Sequence, residues 1–152
     1  MKGNPLPFKK VLICGLPGSG KTWLSRILAY HFCVPHYCAD TVREYYQDWD
    51  FSMEGRIRQA QRMGNYWGIL DFVSPTEDLR KIANPDFTIW MDTIDKGRFE
   101  DTNKLFEQPL NYDLRIDKWI GQNQLRKCLE DFSPGMKGIQ SFLDGPIQKL
   151  VK

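Results

Sequence analysis

Residues 15–22 of this chain, Gly-Leu-Pro-Gly-Ser-Gly-Lys-Thr, constrain its fold more than any other segment. They match the pattern G-x-x-x-x-G-K-[ST], in which glycines let consecutive backbone N–H groups turn toward an anion without a Cβ in the way. A helix that starts where such a loop ends points the positive end of its dipole at the bound phosphates. The pattern therefore predicts a strand, a phosphate-binding loop and a helix, in that order.

The sequence on both sides of this loop has the hydrophobic pattern that the motif requires. Residues 10–14 form a short apolar run typical of a strand buried on both faces, and residues 23–32 repeat apolar side chains at helical spacing. We expect the loop to hold the phosphates of ATP through Gly15, Pro17, Gly18, Ser19, Gly20, Lys21 and Thr22. Within this set, Lys21 is expected to reach the β- and γ-phosphates, and the Thr22 hydroxyl to hold Mg²⁺.

Further strands and helices alternate along the chain. Strands are predicted at 36–39, 66–72, 87–91 and 112–116, and helices at 41–49, 53–65, 75–84 and 125–132. Ser74 is expected to cap the helix that starts at Pro75, with Glu77 reaching back to it as a capping box. This alternation predicts an α/β fold in which a mainly parallel five-stranded sheet carries helices on both faces.

Length, charge and composition exclude several classes of protein. The 152 residues are 41% hydrophobic, and 21 Lys and Arg against 19 Asp and Glu leave a net charge of +2, which argues against a nucleic-acid partner. No apolar run approaches the roughly 20 residues of a membrane span, and four cysteines are too few for a disulfide scaffold. We therefore expect a cytoplasmic protein with one domain at 1–132 and a tail or linker at 133–152. The polar stretch 93–109 is predicted to form a mobile lid.

Four segments in order resemble the motifs of one enzyme family. They are the phosphate loop at 15–22, the sequence C-A-D-T-V-R at 38–43, the stretch from D-W-D-F-S at 48–52 through Arg56, Gln59 and Arg62, and F-V-S-P at 72–75. This set is similar to the motifs of the adenylylsulfate kinases, which phosphorylate the 3′-hydroxyl of adenosine 5′-phosphosulfate. Thousands of unrelated proteins share the first motif, whereas the ordered set is much more specific.

The resemblance implies a P-loop NTPase fold, a three-layer sandwich, and an ATP-dependent kinase of the kind that is commonly a homodimer. It implies that the acceptor is bound by Asp40, Arg43, Phe51, Arg56, Gln59, Ser74 and, from a loose alignment, Lys104. Asp40 would also take the proton of the attacking hydroxyl, and Phe51 would stack on the adenine. From the residues alone, Asp40 follows a predicted strand, where open α/β sheets bind ligands, and it has the alternative role of capping the next helix.

Other features leave the acceptor and the activity open. Asp71 ends a predicted strand, where a carboxylate can order Mg²⁺ through water, although the resembling kinases usually lack an acid there. Cys38 and Thr41 stand where the family has Asp and Asn, and the segment from Arg56 to Ser74 is shorter than in the family. Two other functions therefore remain: a kinase of a nucleoside, nucleotide or polynucleotide 5′-end, and a nucleotide-binding module without kinase activity.

Overall fold

The computed structural model describes residues 8–118, in which strands and helices alternate as the sequence predicts. The strands are β1 (Lys10–Cys14), β2 (His36–Cys38), β3 (Gly68–Asp71), β4 (Phe87–Met91) and β5 (Leu114–Ile116). The helices are α1 (Lys21–Phe32), α2 (Ala39–Tyr46), α3 (Met53–Met63), α4 (Glu77–Ala83) and α5 (Glu100–Leu105). The sheet has the order β2-β3-β1-β4-β5 and every strand pair is parallel, which confirms the predicted fold class.

The sheet separates two apolar clusters, because alternate side chains of a strand point to opposite faces. In β1, Val11 and Ile13 pack in a cluster with side chains of α1, whereas Leu12 and Cys14 pack in a second cluster with side chains of α2, α3 and α4. Every residue of β1 and β3 is buried as a result. The parallel strands also direct the loops that follow β1, β2 and β3 to the same edge of the sheet, where α/β proteins bind ligands.

The prediction of a helix at 41–49 is wrong at both ends. α2 starts earlier than predicted, and it ends at Tyr46, because Gln47 takes the left-handed conformation with φ of 50°. Cys38 precedes the helix and its side chain makes no capping hydrogen bond. Asp40 therefore lies inside the first turn of α2, so its alternative role as the helix cap is also wrong.

The predicted capping box at Ser74 is wrong too. α4 starts at Glu77, and Thr76 caps it, because the Thr76 hydroxyl accepts a hydrogen bond from the backbone N–H of Leu79 at 3.2 Å. Ser74 lies before the helix, is fully buried, and has a left-handed backbone with φ of 44°. Both positions carry hydroxyls suited to capping, so the sequence pattern alone did not separate them.

Smaller differences concern the ends of other elements. α1 starts at Lys21 rather than at 23, and α3 stops at Met63 rather than at 65. β3 starts only at Gly68, whose missing Cβ lets the chain pass close to the backbone of Pro35; a Cβ there would lie 2.5 Å from the Pro35 carbonyl oxygen. β5 is likewise shorter than predicted.

Two predicted segments, the helix at 125–132 and the tail at 133–152, lie outside the described residues. The predicted lid at 93–109 contains α5, which sequence periodicity did not indicate. No helix within residues 8–118 is long and apolar enough to cross a membrane.

Two leucines test the assignment of the core. Leu12 is completely buried in the central strand, whereas Leu110 is 81% exposed. We expect Leu12→Ala to lower the free energy of unfolding by about 2–5 kcal/mol, because it leaves a cavity between the sheet and its helices. Leu110→Ala is the matched control and should change it by less than about 0.5 kcal/mol. Urea denaturation measures both, and equal effects of the two substitutions would refute the described packing.

Candidate active site

The loop between β1 and α1 needs glycine at particular positions. Gly20 precedes α1 with φ of 101°, a left-handed conformation that side chains with a Cβ rarely adopt. A Cβ on Gly15 would lie 2.5 Å from the backbone oxygen of Met91 and 2.8 Å from the hydroxyl of Ser19. Gly15 therefore allows the loop to lie tightly against β4, and Gly20 allows the chain to turn into α1.

Lys21 is the first residue of α1, directly after this loop, and is almost completely buried. Its ammonium group donates a hydrogen bond to the backbone oxygen of Leu16, with an Nζ–O distance of 3.1 Å. Burial lowers the pKa of Lys21, and the negative charges of Asp71 and Asp40 partly oppose this effect. A bound phosphate would satisfy a desolvated cation of this kind better than a carbonyl oxygen does.

Thr22 and Asp71 meet at the carboxyl edge of the sheet. The Thr22 hydroxyl donates a hydrogen bond of 2.6 Å to Oδ2 of Asp71, and His36 Nε2 lies 3.1 Å from the same oxygen. Hydroxyl and carboxylate oxygens are the ligands that Mg²⁺ prefers, so this pair fits the ion. Among residues 8–118, no group of three or more His, Cys, Asp and Glu is arranged to hold a metal ion. The pair therefore fits a Mg²⁺ that takes its other ligands from phosphates and water.

A cavity of about 530 Å³ extends from the phosphate loop across the edge of the sheet. Most of the residues predicted from the sequence line it: Pro17, Gly18, Lys21, Thr22, Asp40, Arg43, Phe51, Arg56, Gln59, Asp71 and Ser74. The other predicted loop residues, Gly15, Ser19 and Gly20, are not among its lining. Lys104 is exposed on α5 and is not part of the lining either.

The two predicted acceptor-binding arginines support the loop that carries Phe51. Arg43 Nη1 donates to the backbone oxygens of Asp48 and Asp50 at 2.9 and 3.1 Å, and its guanidinium lies 4.2 Å from the centre of the Phe51 ring. Arg56 Nε donates to the backbone oxygen of Phe51 at 2.9 Å. Both arginines are buried, whereas about half of the Phe51 ring is exposed. The arginines therefore hold an aromatic ring at the cavity wall.

Charged side chains that do not line the cavity also hold this loop, and one of them, Arg62, belongs to the motifs that resemble the kinase family. Asp48 accepts hydrogen bonds from Arg58 Nε at 3.0 Å and from Arg62 Nη1 at 2.7 Å. These hydrogen bonds lower the pKa of the Asp48 carboxyl, which stays ionised. Asp48 thereby connects the loop to α3.

Two buried polar atoms in the cavity wall lack a hydrogen-bond partner within the described part of the chain. They are Oε1 of Gln59 and the hydroxyl of Ser74. Gln59 is held in place through its other amide atom, since Nε2 donates to the backbone oxygen of Ala39 at 2.8 Å. Buried polar atoms are almost always hydrogen-bonded in proteins, so both atoms are candidates for hydrogen bonds to a ligand in the cavity.

Sequence reasoning missed a further group of cavity residues. These residues are Cys38, Trp49, Phe72, Val73, Pro75, Leu79, Arg98, Phe99, Asp101 and Thr102, together with Ala39. Trp49 and Phe99 are about half exposed, like Phe51, and give the cavity an aromatic rim. No motif marks Arg98, Phe99 or Asp101, because residues 98–102 follow β4 and lie far from the phosphate loop in the sequence.

The fold of this chain is similar to that of several solved structures, although comparisons of the sequence alone find no match. No protein-family model matches the sequence, and no curated protein matches it either. The APS kinase CysC of Mycobacterium tuberculosis, solved with AMPPNP and APS, aligns with a TM-score of 0.64 and 18% identity over 82% of this chain and 96% of that one. The chain has the fold of a P-loop kinase.

Two solved sugar kinases share the same fold. A gluconokinase from Sinorhizobium meliloti 1021 aligns with a TM-score of 0.58 and 12% identity over 93% of this chain and 97% of that one. A sugar kinase from Janibacter sp. HTCC2649 aligns with a TM-score of 0.59 and 15% identity over 86% of this chain and 98% of that one. The resemblance noted in the sequence is thus confirmed for the fold, and these neighbours do not select an acceptor.

The rates at which individual cysteines are chemically modified can show whether a nucleotide binds in this cavity. Cys38 lines the cavity, Cys33 is exposed at the end of α1, and Cys14 is buried with its pKa raised to about 11. We expect iodoacetamide to modify Cys33 and Cys38 but not Cys14. Mg·ATP should slow the modification of Cys38 severalfold, because phosphates nearby disfavour the thiolate and block access.

Peptide mass spectrometry measures each cysteine separately, and Cys33 is the internal control. Equal rates at Cys38 with and without Mg·ATP would contradict nucleotide binding beside β2.

Proposed function

We propose that this chain is an ATP-dependent kinase that transfers the γ-phosphate to the 3′-hydroxyl of adenosine 5′-phosphosulfate. One observation carries the proposal: the phosphate loop and the residues that resemble an acceptor site line the same cavity. The structural neighbour from M. tuberculosis was solved with both AMPPNP and APS, so a similar fold accommodates this pair of ligands. Low sequence identity leaves the acceptor to be argued from the residues themselves.

The donor half of the site is built from the loop and the edge of the sheet. Loop N–H groups and Lys21 bind the phosphates, and Lys21 neutralises charge that develops during transfer. Thr22 and Asp71 hold Mg²⁺, Asp71 through water. When bound, the ion would supply positive charge that offsets the charge of the phosphates. His36 contacts Asp71 and keeps the carboxylate in place beside Thr22.

The acceptor half contains the group that handles the proton. Asp40 follows β2 in the first turn of α2 and lines the cavity. Its carboxylate accepts the proton of the 3′-hydroxyl while the hydroxyl oxygen forms a bond to the γ-phosphorus. The bond between that phosphorus and the β–γ bridging oxygen breaks, and ADP leaves with the electron pair. Most of the rate enhancement comes from holding these groups in line.

The remaining acceptor residues match the parts of a nucleotide. The exposed face of Phe51 offers a surface on which adenine stacks. Arg56 donates from Nε to the Phe51 carbonyl, and its terminal nitrogens make no hydrogen bond within residues 8–118, which supports their role as donors to phosphosulfate oxygens. Gln59 Oε1 and the Ser74 hydroxyl supply the polar contacts that buried groups require.

A nucleoside monophosphate is the second candidate acceptor. Its base and 5′-phosphate would use the same aromatic and guanidinium groups, and Cys38 replaces a carboxylate of the resembling family. A sugar acid suits the cavity less well, since the exposed rings of Trp49, Phe51 and Phe99 favour a planar partner. The experiment must therefore identify which acceptor stimulates phosphate transfer.

ADP release from Mg·ATP, followed by a coupled assay with and without adenosine 5′-phosphosulfate, tests the proposal. We expect release that depends on the acceptor and falls by at least about a hundredfold in Lys21→Met, since that variant loses charge stabilisation at the phosphates. Lys9→Met is the control, because Lys9 is exposed and lies outside the cavity. Release stimulated by AMP instead would replace the acceptor, and nucleotide binding without any stimulated release would favour a non-catalytic module.

Asp40→Asn tests the proposed base separately. We expect kcat to fall by about 10²–10⁴-fold while the affinity for ATP changes little, because an amide cannot accept the proton. Asp78→Asn is the matched control: Asp78 also lies in the first turn of a helix, is exposed, and does not line the cavity. An unchanged kcat in Asp40→Asn would remove Asp40 from the reaction.

A further inference from the structure

Two aromatic side chains of one short loop, between α2 and α3, line the cavity. Trp49 and Phe51 are separated by a single residue, and 47% and 53% of their surfaces are exposed. Their ring centres lie 6.4 Å apart, with an angle of 42° between the ring planes. This separation is within the range of a favourable aromatic pair, so the two rings form one continuous, angled wall.

The two residues on either side of Trp49 are bound to the same guanidinium group. Arg58 on α3 donates to Asp48, from Nε to Oδ2 at 3.0 Å and from Nη2 to Oδ1 at 3.2 Å. The same Nη2 donates to Oδ2 of Asp50 at 2.9 Å. Because the donors of a guanidinium form a rigid fork, both carboxylates are held in a fixed relation to α3. Arg58 does not line the cavity, so it holds the loop without touching a ligand there.

All members of this charged cluster are ionised at neutral pH. Hydrogen bonds from Ser52 and Arg58 lower the pKa of Asp50 to about 2, and the two carboxylates in turn raise the pKa of Arg58. Arg62 adds a second cation at Asp48, with an Nη1–Oδ2 distance of 2.7 Å. A network of several charges with a forked contact holds its geometry better than an isolated ion pair on a protein surface. The attachment of the loop to α3 is therefore present under the conditions of an assay.

The backbone of the loop is held at the same two residues. Arg43 Nη1 donates to the carbonyl oxygens of Asp48 and Asp50, and the Asp48 N–H donates to the carbonyl oxygen of Arg43 at 3.0 Å. Gly55, in the first turn of α3, lies so close to the Asp50 oxygen that there is no room for a Cβ between them. Trp49 is thus the central residue of a segment whose neighbours are fixed through both side chain and backbone.

We propose that Trp49 contacts the base of the acceptor beside Phe51, and that Arg58 is the positioning residue that holds Trp49 there. A purine has two fused rings and is wider than one phenyl ring, so a purine stacked on Phe51 extends to the neighbouring ring of the wall. Stacking depends little on the hydrogen-bonding groups of a base, so Trp49 adds affinity for a purine without selecting between adenine and guanine. The inference rests on the proposed function in taking a purine nucleotide as the acceptor.

Calorimetric titration of the full chain, saturated with Mg·AMPPNP, with adenosine 5′-phosphosulfate tests Trp49. We expect Trp49→Leu to weaken binding by about tenfold, because leucine offers no ring face to the base, and Trp49→Phe to weaken it by less than about threefold. Trp67→Leu is the matched control, since Trp67 is 62% exposed and does not line the cavity. Unchanged affinity in Trp49→Leu, or an equal loss in Trp67→Leu, would overturn the assignment.

Arg58→Met tests the positioning role in the same titration. We expect acceptor affinity to fall by about threefold and the affinity for Mg·AMPPNP to change by less than about twofold, because Arg58 acts only on the loop that carries Trp49. The double variant with Trp49→Leu should bind the acceptor about as well as Trp49→Leu alone. Arg26→Met is the control, since Arg26 is exposed on α1 and lies outside the cavity. Additive losses, or an equal loss of AMPPNP affinity, would make Arg58 merely structural.

These titrations measure binding, so their outcome is separate from that of the kinase assay. Acceptor binding that weakens in Trp49→Leu, without any stimulated ADP release in the wild type, would leave Trp49 in place and reject the transfer reaction. Stimulated release with an unchanged acceptor KM in Trp49→Leu would keep the kinase and reject the role of Trp49. If the wild type binds AMP instead, AMP takes the place of the titrant in the same comparison. Wild-type protein that binds neither compound would reject both proposals.

Discussion

Parallel pairing of β1 with β3 is the constraint on which the site depends. In that register Ile13 pairs with Asp71, so the strand that leads into the phosphate loop ends beside a carboxylate from a distant part of the sequence. The hydrogen bond from Thr22 to Asp71 connects the start of α1 to the end of β3. β2 pairs on the other side of β3 and brings Cys38 opposite Asp71. Burial of both strands between two apolar clusters keeps this register fixed, since a shift by one residue would turn apolar side chains to the wrong face.

In the acceptor half of the cavity, some side chains are held firmly by hydrogen bonds, whereas others have polar atoms without a partner among the described residues. Arg43 and Arg56 use hydrogen bonds to the backbone to hold Phe51, which reduces the entropy that a ligand must otherwise lose on binding. Within residues 8–118, Gln59 Oε1 and the Ser74 hydroxyl are buried and have no hydrogen-bond partner, and a buried polar atom that stays unpaired costs about 1–3 kcal/mol. A ligand that hydrogen-bonds to these atoms removes that cost and stabilises the fold through binding.

The sequence predicts features that depend on neighbouring residues and misses those that depend on distant ones. The phosphate loop, β1 and the parallel sheet follow from a local motif and from apolar periodicity. The cap at Ser74 was wrong because two suitable hydroxyls lie close together, and tertiary packing selects Thr76. No sequence motif predicts that Arg98 lines the cavity, because its position depends on how Gly97 packs against Pro17 in the phosphate loop, which is far away in the sequence.

Charge explains why a nearly neutral chain can hold strongly anionic ligands. The cavity is lined by four cationic side chains, Lys21, Arg43, Arg56 and Arg98, and three acidic ones, Asp40, Asp71 and Asp101. Burial lowers the pKa of three of these cations, and the positive charge of Arg56 lowers that of Arg43 further. Without a ligand these cations are desolvated and in part repel one another. A phosphate bound in either half would place negative charge beside these cations and would offset part of the electrostatic cost of burying them.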